Sequence, residues 1–147
     1  MDKALEKDVY KTLDKIASYL AQRDHAPAEL KRKMAGRYSQ ESLEQAMNIA
    51  LEKGWLKSPE ELAQKLTDSL HRKLKGHLYI QNYLKNLDLP ATQMDEEKEQ
   101  EKCLTLLDNR FVNWQDYKYE EKQKPTRFLQ SRGFTLSTIK KVLYETK

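Results

Sequence analysis

The stretch K-P-T-R-F-L-Q-S-R-G-F-T-L-S-T-I-K-K-V-L, from Lys124 to Leu143, contains a complete helix-turn-helix unit. Residues 126–131 are typical of a short helix, and Gly133 supplies the left-handed backbone position that commonly ends one. Thr135 or Ser137 can cap the next helix, because either hydroxyl can accept a hydrogen bond from an unpaired backbone N–H. The stretch therefore predicts two short helices packed around an Arg-Gly-Phe corner.

The composition of the whole chain extends this helical character. Of its 147 residues, 38% are apolar and 34% are charged, which leaves enough apolar residues for about one stripe per helix. Four glycines and four prolines are few for a turn-rich β-fold. We therefore expect an all-α protein of thin helical layers with an elongated, curved shape.

Similar corners can be traced towards the N-terminus. Three pairs of apolar residues, each four residues apart and preceded by basic residues, mark short helices that can be superposed: Leu30 and Met34, Ile80 and Leu84, Ile139 and Leu143. Their unequal spacing along the chain indicates a degenerate repeat. We predict one helical domain with three-helix repeats at about residues 3–56, 58–114 and 115–147, the last one truncated. Coincidence remains the alternative, since any amphipathic helices would offer such anchors.

Local signals mark several further helix boundaries. An apolar stripe predicts a long helix over residues 3–23, and Ser39 is placed to cap a later one. Leucines at intervals of four predict a helix that continues to Leu74. The acidic run 95–101 is expected to be the solvated first half of a helix that reaches Trp114.

Several classes of function find no support in the sequence. There is no Gly-rich phosphate loop, no zinc-protease motif and no serine elbow, and His71 and His77 lie on different faces of a helix. Cys103 cannot form an intramolecular disulfide, and it lies on an apolar stretch as a small buried hydrophobe would. We expect a non-enzymatic protein with no cofactor and no metal.

No charged leader precedes the first helix, and no apolar run is long enough to cross a membrane. A cytoplasmic protein that does not bind membranes is therefore expected.

The charge of the chain suggests an acidic partner. The net charge is +4, and the last forty or so residues are distinctly basic after an acidic segment at 90–109. If the repeats stack in order, basic side chains near equivalent corners could form one surface that follows phosphates. The candidates for this basic surface are Arg23, Lys31, Arg32, Lys33, Arg72, Lys73, Lys75, Lys124, Arg127, Arg132, Lys140 and Lys141.

The alternative for each cation is an ordinary solvated helical face. Function and structure are most evenly balanced for Arg127 and Arg132, and Arg132 could instead close the helix end by bonding its carbonyls. Tyr117 and Tyr119 are candidates for stacking on bases. Other aromatic residues fall in or beside apolar stripes, which favours core packing: Trp55, Trp114, Phe128 and Phe134.

Four segments resemble a known family. They are Y-L-A-Q-R-D-H-A-P-A-E-L-K-R-K-M at 19–34, G-W-L at 54–56, L-H-R-K-L-K-G-H-L-Y-I-Q-N-Y-L at 70–84 and R-F-L-Q-S-R-G-F at 127–134. Together with Ile139 and Leu143 they resemble the RecX regulatory proteins, bacterial modulators of the RecA recombinase, over about residues 10–145. Lys57 and Ser58 depart from the two aspartates that the family usually has, and Asp88 stands where the family usually has glycine.

The resemblance implies tandem three-helix units and a function. By that resemblance the chain binds the RecA nucleoprotein filament. We also expect a monomer, with single- and double-stranded DNA as further partners. It would inhibit the recombinase in DNA repair, DNA recombination and the SOS response. The alternatives are a helical DNA-binding module that acts independently of RecA, and a protein-interaction scaffold that binds no nucleic acid.

Overall fold

The computed structural model describes residues 3–145, and those residues form eight α-helices and no β-strand. Two short 3-10 turns, Trp114–Asp116 and Tyr119–Lys122, precede the seventh helix. The prediction of an all-α fold is confirmed. The helices are α1 (Lys3–Gln22), α2 (Pro27–Met34), α3 (Gln40–Glu52), α4 (Pro59–Arg72), α5 (His77–Asn86), α6 (Glu96–Arg110), α7 (Gln123–Ser131) and α8 (Leu136–Leu143).

The chain divides into two compact units. Unit 1 contains residues 3–63 and 87–90, and unit 2 contains residues 64–86 and 91–145. No described helix is both long and apolar enough to span a lipid bilayer.

Unit 1 is built on the apolar stripe of α1. Ile16 and the α2 residues Leu30 and Met34 are fully buried in one core, so that short helix has its predicted inward face. The Ser39 hydroxyl accepts a hydrogen bond from the Ser42 backbone N–H at 3.1 Å and so caps α3 as expected. Burial of each large apolar side chain contributes roughly 1.5–3 kcal/mol, and this unit has a continuous set of them.

Unit 2 has its core between α6, α7 and α8. Of the two candidate caps for α8, Thr135 is the one used, because its hydroxyl accepts from the Thr138 backbone N–H at 3.2 Å. The buried apolar residues of this core are Cys103, Leu106, Leu107, Trp114, Leu129, Phe134, Ile139, Val142 and Leu143.

Two of the predicted helices end earlier than expected. Helix α4 stops at Arg72, and Leu74 adopts a left-handed conformation with φ 60° instead of continuing the helix. Helix α6 stops at Arg110, because Phe111 is extended with φ −121° and ψ 110°, and Asn113 with φ 56° then turns the chain before Trp114. An intact helical period in the sequence does not reveal such a break when the left-handed residue is not glycine.

Two expectations about burial were wrong. Glu99, in the acidic run that was expected to be solvated, is only 1% exposed, and Trp55 is 44% exposed although an apolar stripe continues beside it. In both cases the surroundings are set by other elements of the fold and not by the local pattern of apolar residues. Phe128 is half-buried against the unit 2 core, and Trp114 is buried as expected.

Candidate functional site

The Arg-Gly-Phe corner between α7 and α8 receives the start of α5. The Gly76 N–H donates to the Arg132 carbonyl and the Leu78 N–H donates to the Gly133 carbonyl, each at 2.8 Å. A Cβ on Gly76 would lie 2.3 Å from the Gly133 carbonyl carbon, so the two backbones touch directly. Phe134 is buried beneath the contact at 1% exposure. The corner is therefore a backbone docking site for a second helix.

A buried polar network lies next to this contact. Glu99 accepts a hydrogen bond from the His77 N–H at 2.7 Å, and its other carboxylate oxygen pairs with the Lys102 ammonium. The Lys102 ammonium also donates to the Lys75 carbonyl at 2.6 Å and to Nδ1 of His71 at 2.8 Å. The side chains of the ion pair are 1% and 5% exposed. The network thus satisfies backbone groups at the end of α4 and the start of α5.

The protonation of the network follows from its burial. Burial lowers the pKa of Lys102, and the hydrogen bond that its ammonium donates to Glu99 opposes that shift. Burial also lowers the pKa of His71, and the positive charge of Lys102 lowers it further. A neutral His71 can accept a hydrogen bond from the Lys102 ammonium at Nδ1, whereas a charged imidazole would place a second cation beside it. The geometry therefore fits a neutral imidazole.

Cys103 lies in the same core and is fully buried. Burial raises the pKa of its thiol to about 12, so it is protonated at neutral pH. The expectation of a small buried hydrophobe is confirmed, because a nucleophilic cysteine needs an accessible thiolate.

Three of the four predicted cations of unit 1 have side-chain partners. Arg23 makes a two-pronged contact with Glu29 at 3.2 and 2.7 Å, and its hydrogen bonds lower the pKa of Glu29. Lys33 donates to Nε2 of His25 at 2.9 Å. The Arg32 guanidinium pairs with Asp88 at 2.8 Å. Lys31 is exposed without a recorded partner in residues 3–145.

The predicted cations of unit 2 fall into two groups. Arg132 is half-buried and donates to the Lys73 carbonyl at 3.1 Å, so it holds backbone together. Lys75 stands over the Tyr79 ring at 4.7 Å, and Lys141 pairs with Glu96 at 3.4 Å. The exposed cations with no recorded side-chain partner in the described part of this unit are Arg72, Lys73, Lys124, Arg127 and Lys140.

Two exposed tyrosines on α5 were not predicted as stacking residues, and the first of them lies beside Lys75. The rings of Tyr79 and Tyr83 on α5 are stacked with centroids 6.5 Å apart, and the two residues are 39% and 40% exposed. The spacing K-x-x-x-Y-x-x-x-Y from Lys75 onwards was the available signal. Of the two tyrosines proposed instead, Tyr119 is 67% exposed and Tyr117 is half-buried.

The departures from the family pattern have local compensations in unit 1. Asp88 adopts a left-handed conformation with φ 55°, which glycine would adopt without strain, and it pairs with Arg32. The ammonium of Lys57 lies 3.6 Å from a carboxylate oxygen of Asp24. Each unusual charge therefore has an opposite charge near it.

The described residues include no group of three or more His, Cys, Asp or Glu side chains that could hold a metal ion.

Comparison with known proteins agrees with the resemblance seen in the sequence. Residues 96–143 match the family described as RecX, third three-helix domain. A crystal structure of RecX from Lactobacillus salivarius is 15% identical with a TM-score of 0.82, covering 95% of this chain and 97% of that one. A crystal structure of regulatory protein RecX is 16% identical with a TM-score of 0.75, covering 99% of this chain and 80% of that one. No curated protein sequence matches.

These comparisons confirm the resemblance to RecX, and at such low identity the two solved structures establish the fold alone. The family match spans α6, α7 and α8 and so groups α6 with the two helices of the corner. The division into repeats at residues 3–56, 58–114 and 115–147 stays a prediction.

Proposed function

We propose that this chain, a RecX-family protein by its third three-helix domain and its fold, binds the RecA nucleoprotein filament and limits its activity. Free cations near the corner would meet acidic protein surface or DNA phosphate on the filament. Bound in this way, the protein would oppose the movements that strand exchange requires. The role is regulatory and non-enzymatic, and its setting is cytoplasmic DNA repair, recombination and the SOS response.

The observation that carries the proposal is the set of free charges within the matched domain. Lys124, Arg127 and Lys140 lie on α7 and α8, are exposed, and have no recorded partner among residues 3–145. A charge that is already paired must lose its partner before it binds another, whereas these three can bind directly. Arg132 is left out of the contact set, because its side chain is half-buried and one of its amino groups already donates to the Lys73 carbonyl.

The test is a triple charge reversal, Lys124→Glu, Arg127→Glu and Lys140→Glu. RecA-dependent ATP hydrolysis on single-stranded DNA and cosedimentation with the filament are measured at low salt. We expect the wild type to slow hydrolysis and the triple variant to lose at least about tenfold in filament affinity, as loss of several charge contacts predicts.

A matched control reverses three exposed lysines of α1, with Lys3→Glu, Lys7→Glu and Lys11→Glu. This control changes net charge equally and is expected to retain activity. A wild-type protein that neither slows hydrolysis nor sediments with filaments would refute the proposal.

The same free cations favour a second candidate, a DNA-binding module that acts without RecA. Their charge suits phosphate as well as acidic protein. An affinity for bare DNA that falls steeply with salt, with no preference for the filament, would favour this candidate. If the reversal on α7 and α8 alters binding to neither filament nor DNA, a protein-interaction scaffold becomes the better description.

A further inference from the structure

Helix α5 presents a column of exposed groups outside the charges just considered. Lys75 stands over the ring of Tyr79, and Tyr83 is stacked on that ring with an interplanar angle of 25°. Because Lys75 and Tyr83 lie four residues before and after Tyr79, they approach it from opposite directions along the helix. The exposed Asn82 lies between the two tyrosines in sequence and offers an amide to the same face.

The charged residues of the stretch that carries this column are all of one sign. Between Arg72 and Asn86 the sequence contains no aspartate or glutamate. It contains four cations in the same stretch: Arg72, Lys73, Lys75 and Lys85. Three of them are exposed and Lys75 is half-buried, so an anionic chain that follows α5 meets no like charge from this stretch.

The backbone beneath the column is fixed by the corner. At the start of α5, the His77 N–H donates to the Glu99 carboxylate and the Leu78 N–H donates to the Gly133 carbonyl. Just before the helix, the Gly76 N–H donates to the Arg132 carbonyl. A Cβ on Gly133 would lie 2.5 Å from the Cβ of Tyr79, so glycine allows the corner to lie directly beneath this tyrosine. Binding would therefore cost little ordering of the backbone, and that preorganisation favours affinity.

We propose that α5 and the residues just before it bind single-stranded nucleic acid. A base would stack on the Tyr79–Tyr83 column, while cations of residues 72–85 contact the adjacent phosphates. Single strands expose base faces, whereas a duplex keeps them stacked inside, so the site distinguishes strand from duplex. An acidic protein would use the cations and leave the ring faces unused. The proposal requires no RecA, and it assigns a site and a strand preference that the second candidate above leaves open.

The first test compares two double variants of the full chain on fluorescein-labelled oligothymidylate, oligouridylate and a hairpin duplex. Fluorescence anisotropy at low salt gives the affinities. Tyr79→Ala with Tyr83→Ala should weaken strand binding about tenfold, equivalent to about 1.4 kcal/mol, and leave duplex binding unchanged. Tyr79→Phe with Tyr83→Phe keeps the ring faces and should stay within about twofold of the wild type.

The matched control is Tyr10→Ala with Trp55→Ala, which removes two exposed aromatic side chains of unit 1. This control should bind as the wild type does. If the alanine variant lost equal affinity for strand and duplex, or if the phenylalanine variant bound as weakly as the alanine variant, the stacking contact would be overturned. Absence of wild-type binding to both single strands would overturn the site as a whole. The two strands differ in sugar and in the thymine methyl group, and oligodeoxyuridylate, which has the sugar of one and the base of the other, shows which difference sets the preference.

A second measurement needs no variant. Oligothymidylate carrying 5-iodouracil is irradiated with the wild-type protein and digested with trypsin, which cuts after Lys75 and Lys85. We expect the adduct on the peptide from Gly76 to Lys85, at Tyr79 or Tyr83. An adduct confined to other peptides would contradict the site, even if the oligonucleotide binds.

The outcomes separate this site from the proposed function. A protein that slows RecA-dependent hydrolysis but binds no free strand disproves the stacking site and leaves filament regulation standing. A protein that binds strands through α5 but leaves RecA unaffected does the reverse.

Discussion

Gly133 satisfies two separate demands at the scale of single residues. Its φ of 95° lies in the region that side-chain-bearing residues rarely adopt, and its missing Cβ leaves room for Tyr79. The first demand is local and can be read from a helix end in the sequence. The second arises because α5 docks on the corner, and no neighbouring residue in the chain indicates it. The same glycine thus ends a helix and places an exposed tyrosine.

We predict that Gly133→Ala destabilises the protein by about 2–4 kcal/mol, measured by urea unfolding. Left-handed backbone accounts for roughly 1–2 kcal/mol of this and overpacking against Tyr79 for the rest. Gly54→Ala is the matched control, because Gly54 has φ 74° but no heavy atom within 4 Å of an added Cβ. Its cost should be about 1–2 kcal/mol. Equal costs at both positions would mean that the close contact with Tyr79 is absent.

At the scale of secondary-structure elements, the Glu99–Lys102 pair connects three helices. Both residues lie on α6. Lys102 bonds to His71 at the end of α4 and to the Lys75 carbonyl before α5, and Glu99 accepts from the His77 N–H at the start of α5. A buried ion pair adds little net stability by itself, because both charges lose their hydration. Removing one partner is far more damaging, since it leaves the other charge buried alone. The pair is therefore best understood as fixing the geometry on which α5 docks.

We predict that the protein loses stability as pH falls through about 6.5, the ordinary pKa of histidine. Since the folded state lowers the pKa of His71, the unfolded chain binds more protons in this range, and acid favours unfolding. The loss should level off below the folded pKa. Urea midpoints between about pH 8 and pH 5 measure it, and His71→Gln should flatten the profile while keeping an acceptor for Lys102.

His77→Gln serves as the control, because it is the backbone N–H of His77, and not the imidazole, that contacts Glu99. This variant should retain the wild-type pH profile. An unchanged slope in His71→Gln would mean that the imidazole is not buried beside Lys102.

At the scale of the whole molecule, each of the two compact units has its own hydrophobic core. Two solved RecX structures share this fold although their sequences are only 15% and 16% identical to this chain. The apolar pattern, more than individual residues, therefore specifies the fold. The chain also carries one built-in probe of unit 2, since its single cysteine lies in that core.

We predict that Cys103 in the native protein reacts with a thiol reagent at least about a hundredfold more slowly than in the urea-unfolded chain. The thiol is fully buried and its pKa is raised to about 12, so both access and thiolate are lacking. A control variant combines Cys103→Ala with Ser137→Cys, which puts the thiol at an exposed position of α8. That thiol should react at nearly the unfolded rate. Rapid native labelling of Cys103 would contradict the placement of α6 in the core.

The sequence by itself determined the helical class, the inward faces of the short helices and many of the helix ends. Signals such as the Ser39 cap, the Gly133 turn and the spacing of Leu30 and Met34 act within a few residues, so a local pattern contains them. The family resemblance rested on the same short segments.

Only the tertiary structure decided which polar and aromatic groups are buried, paired or free. Glu99 looked solvated and is buried, Arg132 looked available and is half-buried with a hydrogen bond to the Lys73 carbonyl, and Tyr79 stands exposed on a helix whose opposite face is core. Each outcome depends on groups contributed by distant parts of the chain. Arg132 and Lys73, for example, are far apart in sequence and bonded in space. Helical periodicity specifies which face turns inward, but the identity of the neighbour on that face is fixed only when the helices pack.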